Sequence, residues 1–161
     1  MKIGITGHQQ LTDLDAWVWV EKAISRELKA IQPPLIGITS LAIGADQLFA
    51  KLVLGHGGSI HAIIPFAGLE RTFSNEDIQL YRELLELASV EVLTTPGTDE
   101  DAFLAAGKRV VELSERMIAV WDGKPAKGKG GTGDIAVYTT ALGVPLIHID
   151  PIKRTVTRSF Q

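Results

Sequence analysis

Residues 128–139 read GKGGTGDIAVYT, and four glycines (Gly128, Gly130, Gly131, Gly133) fall within six positions just before a helix-like pattern. Glycine lets a backbone turn sharply and approach a ligand closely. Amides converging at a helix start, helped by the partial positive charge there, suit a phosphate. Thr132 adds a hydroxyl, and Lys124, Lys127 and Lys129 add positive charge. The same loop reads equally well as a surface turn with solvated lysines. GKPAKGKG also approaches the P-loop pattern G-x-x-x-x-G-K-[ST], but Gly130 stands where that motif needs a magnesium-binding hydroxyl.

Other loops supply partners. TGHQQ contains Gly7 and His8 but lacks the G-x-G-x-x-G dinucleotide spacing. TSLAIGADQ offers Ser40, Gly44 and Asp46, and PFAGLER offers Arg71, whose planar fork fits a phosphate or pairs with a nearby acid. Asp46, Asp122 and Asp134 are placed to accept hydrogen bonds from ribose hydroxyls or to act as caps. They are also the candidate catalytic carboxylates. His61 and His148 lie inside strand patterns and read as structural. Trp121, beside Asp122, reads either as a stacking residue or as core, with core favoured at a strand end.

These loops must be carried by an ordered scaffold. Short β-branched runs (KIGIT, LIGITS, SIHAIIP, VEVLT, RMIAVWD, VPLIHID) alternate with amphipathic stretches near residues 14–31, 44–55, 75–88, 99–115 and 133–142. Such alternation predicts a Rossmann-like, three-layer α/β/α fold with a mostly parallel sheet of about six strands. Trp17, Glu21, Ile24, Leu28 and Ile31 mark a stripe on the first helix. Phe103, Ala106, Val110 and Leu113 mark one on the fourth. Residues 1–150 form a single nucleotide-binding domain in this reading, and 151–161 a loose polar tail. Ligands in such sheets bind beyond the carboxyl ends of the strands, where the winding reverses.

The totals set limits. The chain has 161 residues, 45% hydrophobic and 22% charged, which predicts one globular domain. A net charge of −3 disfavours nucleic acid as a partner, because phosphate-backbone affinity needs clustered Lys and Arg. With no cysteine there is no thiolate metal site or disulfide, and no H-x-x-x-H spacing suggests a metal. Neither a secretion signal nor a membrane-length apolar run is read, so the expectation is a cytoplasmic protein with no membrane partner.

GITGHQQL, GADQLFAKL, IIPF and GKGGTGDIAVYTTALGVPLI together resemble the SLOG superfamily. That group contains the LOG phosphoribohydrolases (lysine decarboxylase-like), DNA-processing protein A and YpsA-like proteins. The resemblance runs along nearly the whole chain. It implies a nucleotide or nucleotide-derived ligand, AMP-like or ADP-ribose-like, held by a sensor or carrier. It also implies a homo-oligomer, dimer or higher. No cofactor is required beyond Mg²⁺ carried with a phosphate ligand. LOG enzymes carry P-G-G-x-G-T-x-x-E. Here Gly130, Gly131 and Gly133 match its glycines, Asp134 stands at the threonine and Val137 at the glutamate, and Arg109 roughly at the family arginine. The missing glutamate belongs to the hydrolytic machinery. Nucleotide binding is therefore the first expectation, an N-glycosidase the second, and a single-stranded DNA module the third.

Overall fold

A computed structural model describes residues 1–159. The chain runs β1 (Lys2–Gly7), α1 (Leu14–Lys29), β2 (Ile36–Thr39), α2 (Ala45–Gly55), β3 (Ser59–Ile64), a 3-10 turn (Leu69–Thr72) and α3 (Ile78–Glu86). It continues through β4 (Ala88–Val92), α4 (Asp99–Leu113), β5 (Arg116–Val120), α5 (Thr132–Ala141), β6 (Leu146–Asp150) and β7 (Thr155–Ser159). The expected Rossmann-like α/β architecture is present. The strands form a single sheet of order β4-β3-β2-β1-β5-β6-β7. All pairings are parallel except β6 with β7.

Both faces of the sheet are covered, as parallel sheets require. Successive residues of β5 show how. Ile118 and Val120 enter the core layer shared with α1, α2 and α3, whereas Met117 and Ala119 enter the layer shared with α4 and α5. The helices begin where local chemistry starts them. Asp13 accepts the Asp15 amide at 2.9 Å, and Thr98 and Asp101 form a reciprocal capping box on α4.

Three expectations change. On α1 the buried face is Ala16, Val20, Ala23, Ile24, Glu27 and Leu28, rotated from the expected stripe, and Glu21 is exposed. On α4 the buried residues are Ala102, Ala106, Val110 and Val111, so Phe103 lies off the core face. Within the segment read as a loose tail, residues 155–159 form a seventh strand on the sheet edge. Val156 packs against the first core layer, the Arg158 guanidinium pairs with the buried carboxylate of Glu27, and Arg154 reaches Asp13 at 3.4 Å. Those partners are far apart in sequence, and the antiparallel return places them together.

Close packing of α2 on β2 depends on Gly37. A Cβ there would lie 2.9 Å from Val53 Cγ2 and 3.0 Å from Phe49 Cε1. Phe49 itself is fully buried. Phe49→Ala should cost about 3–5 kcal/mol, and Gly37→Val about 1–3 kcal/mol by overpacking. In the double variant the added methyls enter the space vacated by the ring. Urea denaturation should therefore give a summed loss smaller than that of the two single variants, by about 0.5 kcal/mol or more.

Candidate functional site

Chain winding runs from β1 through β2 and β3 to β4, then returns to add β5 on the other side of β1. The reversal lies between β1 and β5, the place at which ligands bind in open sheets of this kind. His8 follows the first and Asp122 the second. The His8 amide donates to the Val120 carbonyl at 3.0 Å, and the Asp122 amide donates to His8 Nε2 at 3.1 Å. Asp122 Oδ1 stands 3.4 Å from the same Nε2. Partial burial opposes the charge on Asp122. The Lys124 amide, donated to Oδ1 at 3.0 Å, and the nearby His8 and Lys124 side chains outweigh it, so the carboxyl stays below its ordinary range.

The loops after β1 and β2 touch through their backbones. Gly44 has φ +83°, and a Cβ there would lie 2.4 Å from the Gln9 carbonyl oxygen and 2.6 Å from that of His8. The Ala45 amide donates to the His8 carbonyl at 3.1 Å. At Gly7 a Cβ would meet Ala45 Cβ at 2.5 Å and Val120 Cβ at 2.9 Å. Gly7 and Gly44 therefore allow β1, β5 and the start of α2 to converge.

Asp46 is buried, and its own loop surrounds it. Oδ2 accepts from Thr39 Oγ1 at 2.9 Å and from the Ser40 amide at 3.0 Å. Thr39 Oγ1 in turn accepts the Leu41 amide, and Gln47 Nε2 donates to the Leu41 carbonyl. Burial pushes the Asp46 carboxyl up to about 6, against the opposing effect of those hydrogen bonds. The Ser40 amide is thus engaged with Asp46 rather than open to a ligand.

After β5, Trp121 packs against the second core layer and donates its indole N–H to the Lys124 carbonyl at 2.7 Å, pinning the start of the loop. The loop then folds against α4. Gly130 has φ +78°, and a Cβ there would lie 2.7 Å from the Leu104 amide nitrogen. Gly131 and Gly133 approach residues 124–126 of their own loop. Close packing within the loop thus accounts for these glycines without a ligand. Asp134 accepts the Gly130 amide at 3.1 Å. Among the described residues, the amides of Gly131, Thr132 and Gly133 make no hydrogen bond. They are the orphan donors of α5, at the edge where the winding reverses.

Lys129 pairs with Asp101 at 3.3 Å, while the Lys124 and Lys127 ammonium groups have no ion pair among the described residues. Arg71 lies farther along the same edge, after β3, 3.8 Å from Asp99. Arg109 is paired with Glu91 at 2.9 Å, and Val137 is an exposed apolar residue beside Trp121 and Leu146. No cluster of His, Cys, Asp or Glu able to hold a metal occurs among the described residues, and no helix is long and apolar enough to cross a membrane. The residues brought together are therefore Gly7, His8, Gly44 and Asp122 around the reversal. Gly130–Gly133 with Asp134 form the start of α5, and Arg71 stands apart from both groups. The His8–Asp122 contact was missed by sequence reading, because 114 residues separate the pair.

No family model and no curated protein matches this chain. Solved structures do. DNA processing protein A (DprA) from Streptococcus pneumoniae matches over 92% of this chain at TM-score 0.69 and 18% identity. DNA processing protein A from Helicobacter pylori, described with a single-stranded DNA binding mode, matches over 93% at 0.67 and 15% identity. TM1055, a structural-genomics target, matches over 90% at 0.53 and 14% identity. The chain spans 50% of the first protein's length and 65% of the second's. The Rossmann-like fold expected from the sequence is the fold this chain shares with these structures. One expectation is corrected. Net charge was read as disfavouring nucleic acid, yet the H. pylori protein of this fold binds single-stranded DNA. The overall charge of −3 therefore gives no ground for excluding such a partner.

The raised carboxyl of Asp46 sets a pH dependence. Folding binds a proton between the unfolded value near 3.8 and the folded value of about 6, so this group's contribution favours the folded state at low pH and is lost as pH rises through that window. Relative to Asp46→Asn, the wild type should lose up to about 3 kcal/mol between pH 4 and 7. Paired urea titrations at the two pH values would check this, since the difference between the two proteins cancels the other carboxylates.

Proposed function

We propose that the chain binds a phosphorylated, nucleotide-derived ligand, AMP-like or ADP-ribose-like, at the β1/β5 reversal. One observation carries the reading: three adjacent orphan amides, Gly131 to Gly133, open the helix that follows the loop after β5. Backbone donors and the helix dipole supply a preorganised seat for a phosphate. The Thr132 hydroxyl and the unpaired Lys124 and Lys127 support it with a further donor and local charge. Mg²⁺ would arrive with the phosphate, since no protein cage for it is present among the described residues.

In this reading Asp122 is the ribose partner. Its carboxylate stays ionised and 22% exposed at the reversal, whereas Asp46 is enclosed by its loop and Asp134 accepts the Gly130 amide. A glycosidase would also have to rely on Asp122, because the place of the LOG glutamate holds Val137. Binding without turnover is the function favoured here, as sensor or carrier.

A second reading has its own support. The fold is shared with a protein described as binding single-stranded DNA, and a phosphodiester presents the same anion to the same amides. Retention of an oligonucleotide would then fall steeply with salt.

Incubation with AMP, NAD and ADP-ribose at near-stoichiometric protein, followed by ultrafiltration and mass detection of the filtrate, would test the reading. Depletion of an intact nucleotide is the expected result. Thr132→Glu should abolish the depletion while leaving the fold intact, because a carboxylate in the first turn suits the helix and repels the phosphate. Unchanged depletion with Thr132→Glu would refute the phosphate seat. Release of free base would identify a glycosidase.

A further inference from the structure

Phe103 lies in the second turn of α4, turned away from the core face and 38% exposed. Its ring meets that of Phe66, which follows β3, at a centroid distance of 5.6 Å and an interplanar angle of 54°. The Arg71 guanidinium lies over Phe66, 4.8 Å from the ring centroid. Its polar contacts are long: 3.5 Å to the carbonyls of Ala67 and Gly68, and 3.8 Å to Asp99. Two aromatic rings and a planar cation thus share one partly exposed patch at the carboxyl edge of the sheet.

This patch adjoins the glycine loop. A Cβ at Gly130 would lie 3.1 Å from the carbonyl carbon of Phe103, and Lys129 pairs with Asp101, two residues before Phe103. The N-terminal part of α4 therefore carries Phe103, and the end of the loop that precedes α5 packs on its backbone. The first turn of α4 carries the carboxylates of Asp99, Glu100 and Asp101, which disfavour an anion at that terminus.

We propose that Phe66 and Phe103, with Arg71, form the seat of a planar nucleobase whose phosphate occupies the amides opening α5. The inference rests on the nucleotide reading above and adds the part of the ligand that a phosphate site cannot select. An aromatic face accepts any base, because every base presents a π-face, and a guanidinium stacks on the same planes. The base belongs to a free mononucleotide or to a single strand, and the chemistry of the seat is shared by both.

Calorimetric titration of the full chain with AMP, ribose 5-phosphate and a dT oligomer would test this. Phe103→Ala should weaken AMP or the oligomer about tenfold or more, the usual scale for loss of one base stack, and leave ribose 5-phosphate within about twofold. Phe103→Leu keeps the apolar volume without the π-face and should behave like Phe103→Ala, which separates stacking from any loss of fold. Weakening of AMP assigns the seat to a mononucleotide, and weakening of the oligomer alone assigns it to a strand. If both Phe103 variants bind as the wild type while Thr132→Glu abolishes binding, the base seat is refuted and the phosphate site stands. Failure of the wild type to bind any of the three probes overturns both.

Discussion

The position of β1 constrains everything else in this molecule. It has β2 on one side and β5 on the other, so the chain must build outward to β4 and come back across the sheet before adding β5. α4 makes that return and packs over β1, β2 and β3 on the way. In sheets of this kind ligands bind at the carboxyl edge beside such a reversal, and here His8 and Asp122 of the two loops meet across it. Small residues make the convergence possible. At Gly7 an added Cβ would overlap both Ala45 and Val120, so a larger residue would push α2 or β5 away from the first strand.

Two loops meet at that edge, and they differ in what holds them. The loop after β2 is tied by side chains: Asp46, Thr39, Ser40, Leu41 and Gln47 hydrogen-bond among themselves. Such a loop is a wall, held in shape by its own buried carboxylate. The loop after β5 is satisfied only in part. Trp121 and Asp134 tie its two ends, yet the amides at the start of α5 have no partner within the described chain. Water or a ligand must complete them.

Charge behaves in the same local manner. The sum over the chain is −3, but Lys124 and Lys127 stand without ion pairs in the loop whose amides are free. Fields in a crevice are set by the nearest groups, and salt screens the distant ones within about 10 Å. A whole-chain sum therefore says little about which anion the crevice receives, and this is why it failed as an argument against a DNA partner.

Much was legible before any fold was known. Strand and helix alternation follows from β-branched runs and helical spacing, which are local properties. The glycine loop could be read in the same way. What remained hidden depends on contacts between distant residues. The strand at 155–159 is polar and basic, so its own sequence reads as a tail; it forms a strand because β6 offers an open edge and Glu27 a partner for Arg158. Phe103 fits a core stripe by spacing, but α4 buries Ala102, Ala106, Val110 and Val111 instead and leaves Phe103 against Phe66. Asp46 and Asp122 look equivalent as residues, yet burial raises one carboxyl and the Lys124 amide holds the other low. Residue type and local spacing determined the elements and the loops that carry the chemistry. The tertiary structure alone decided which side chains are enclosed and which face the crevice, because burial and long-range pairing exist only once the sheet is assembled.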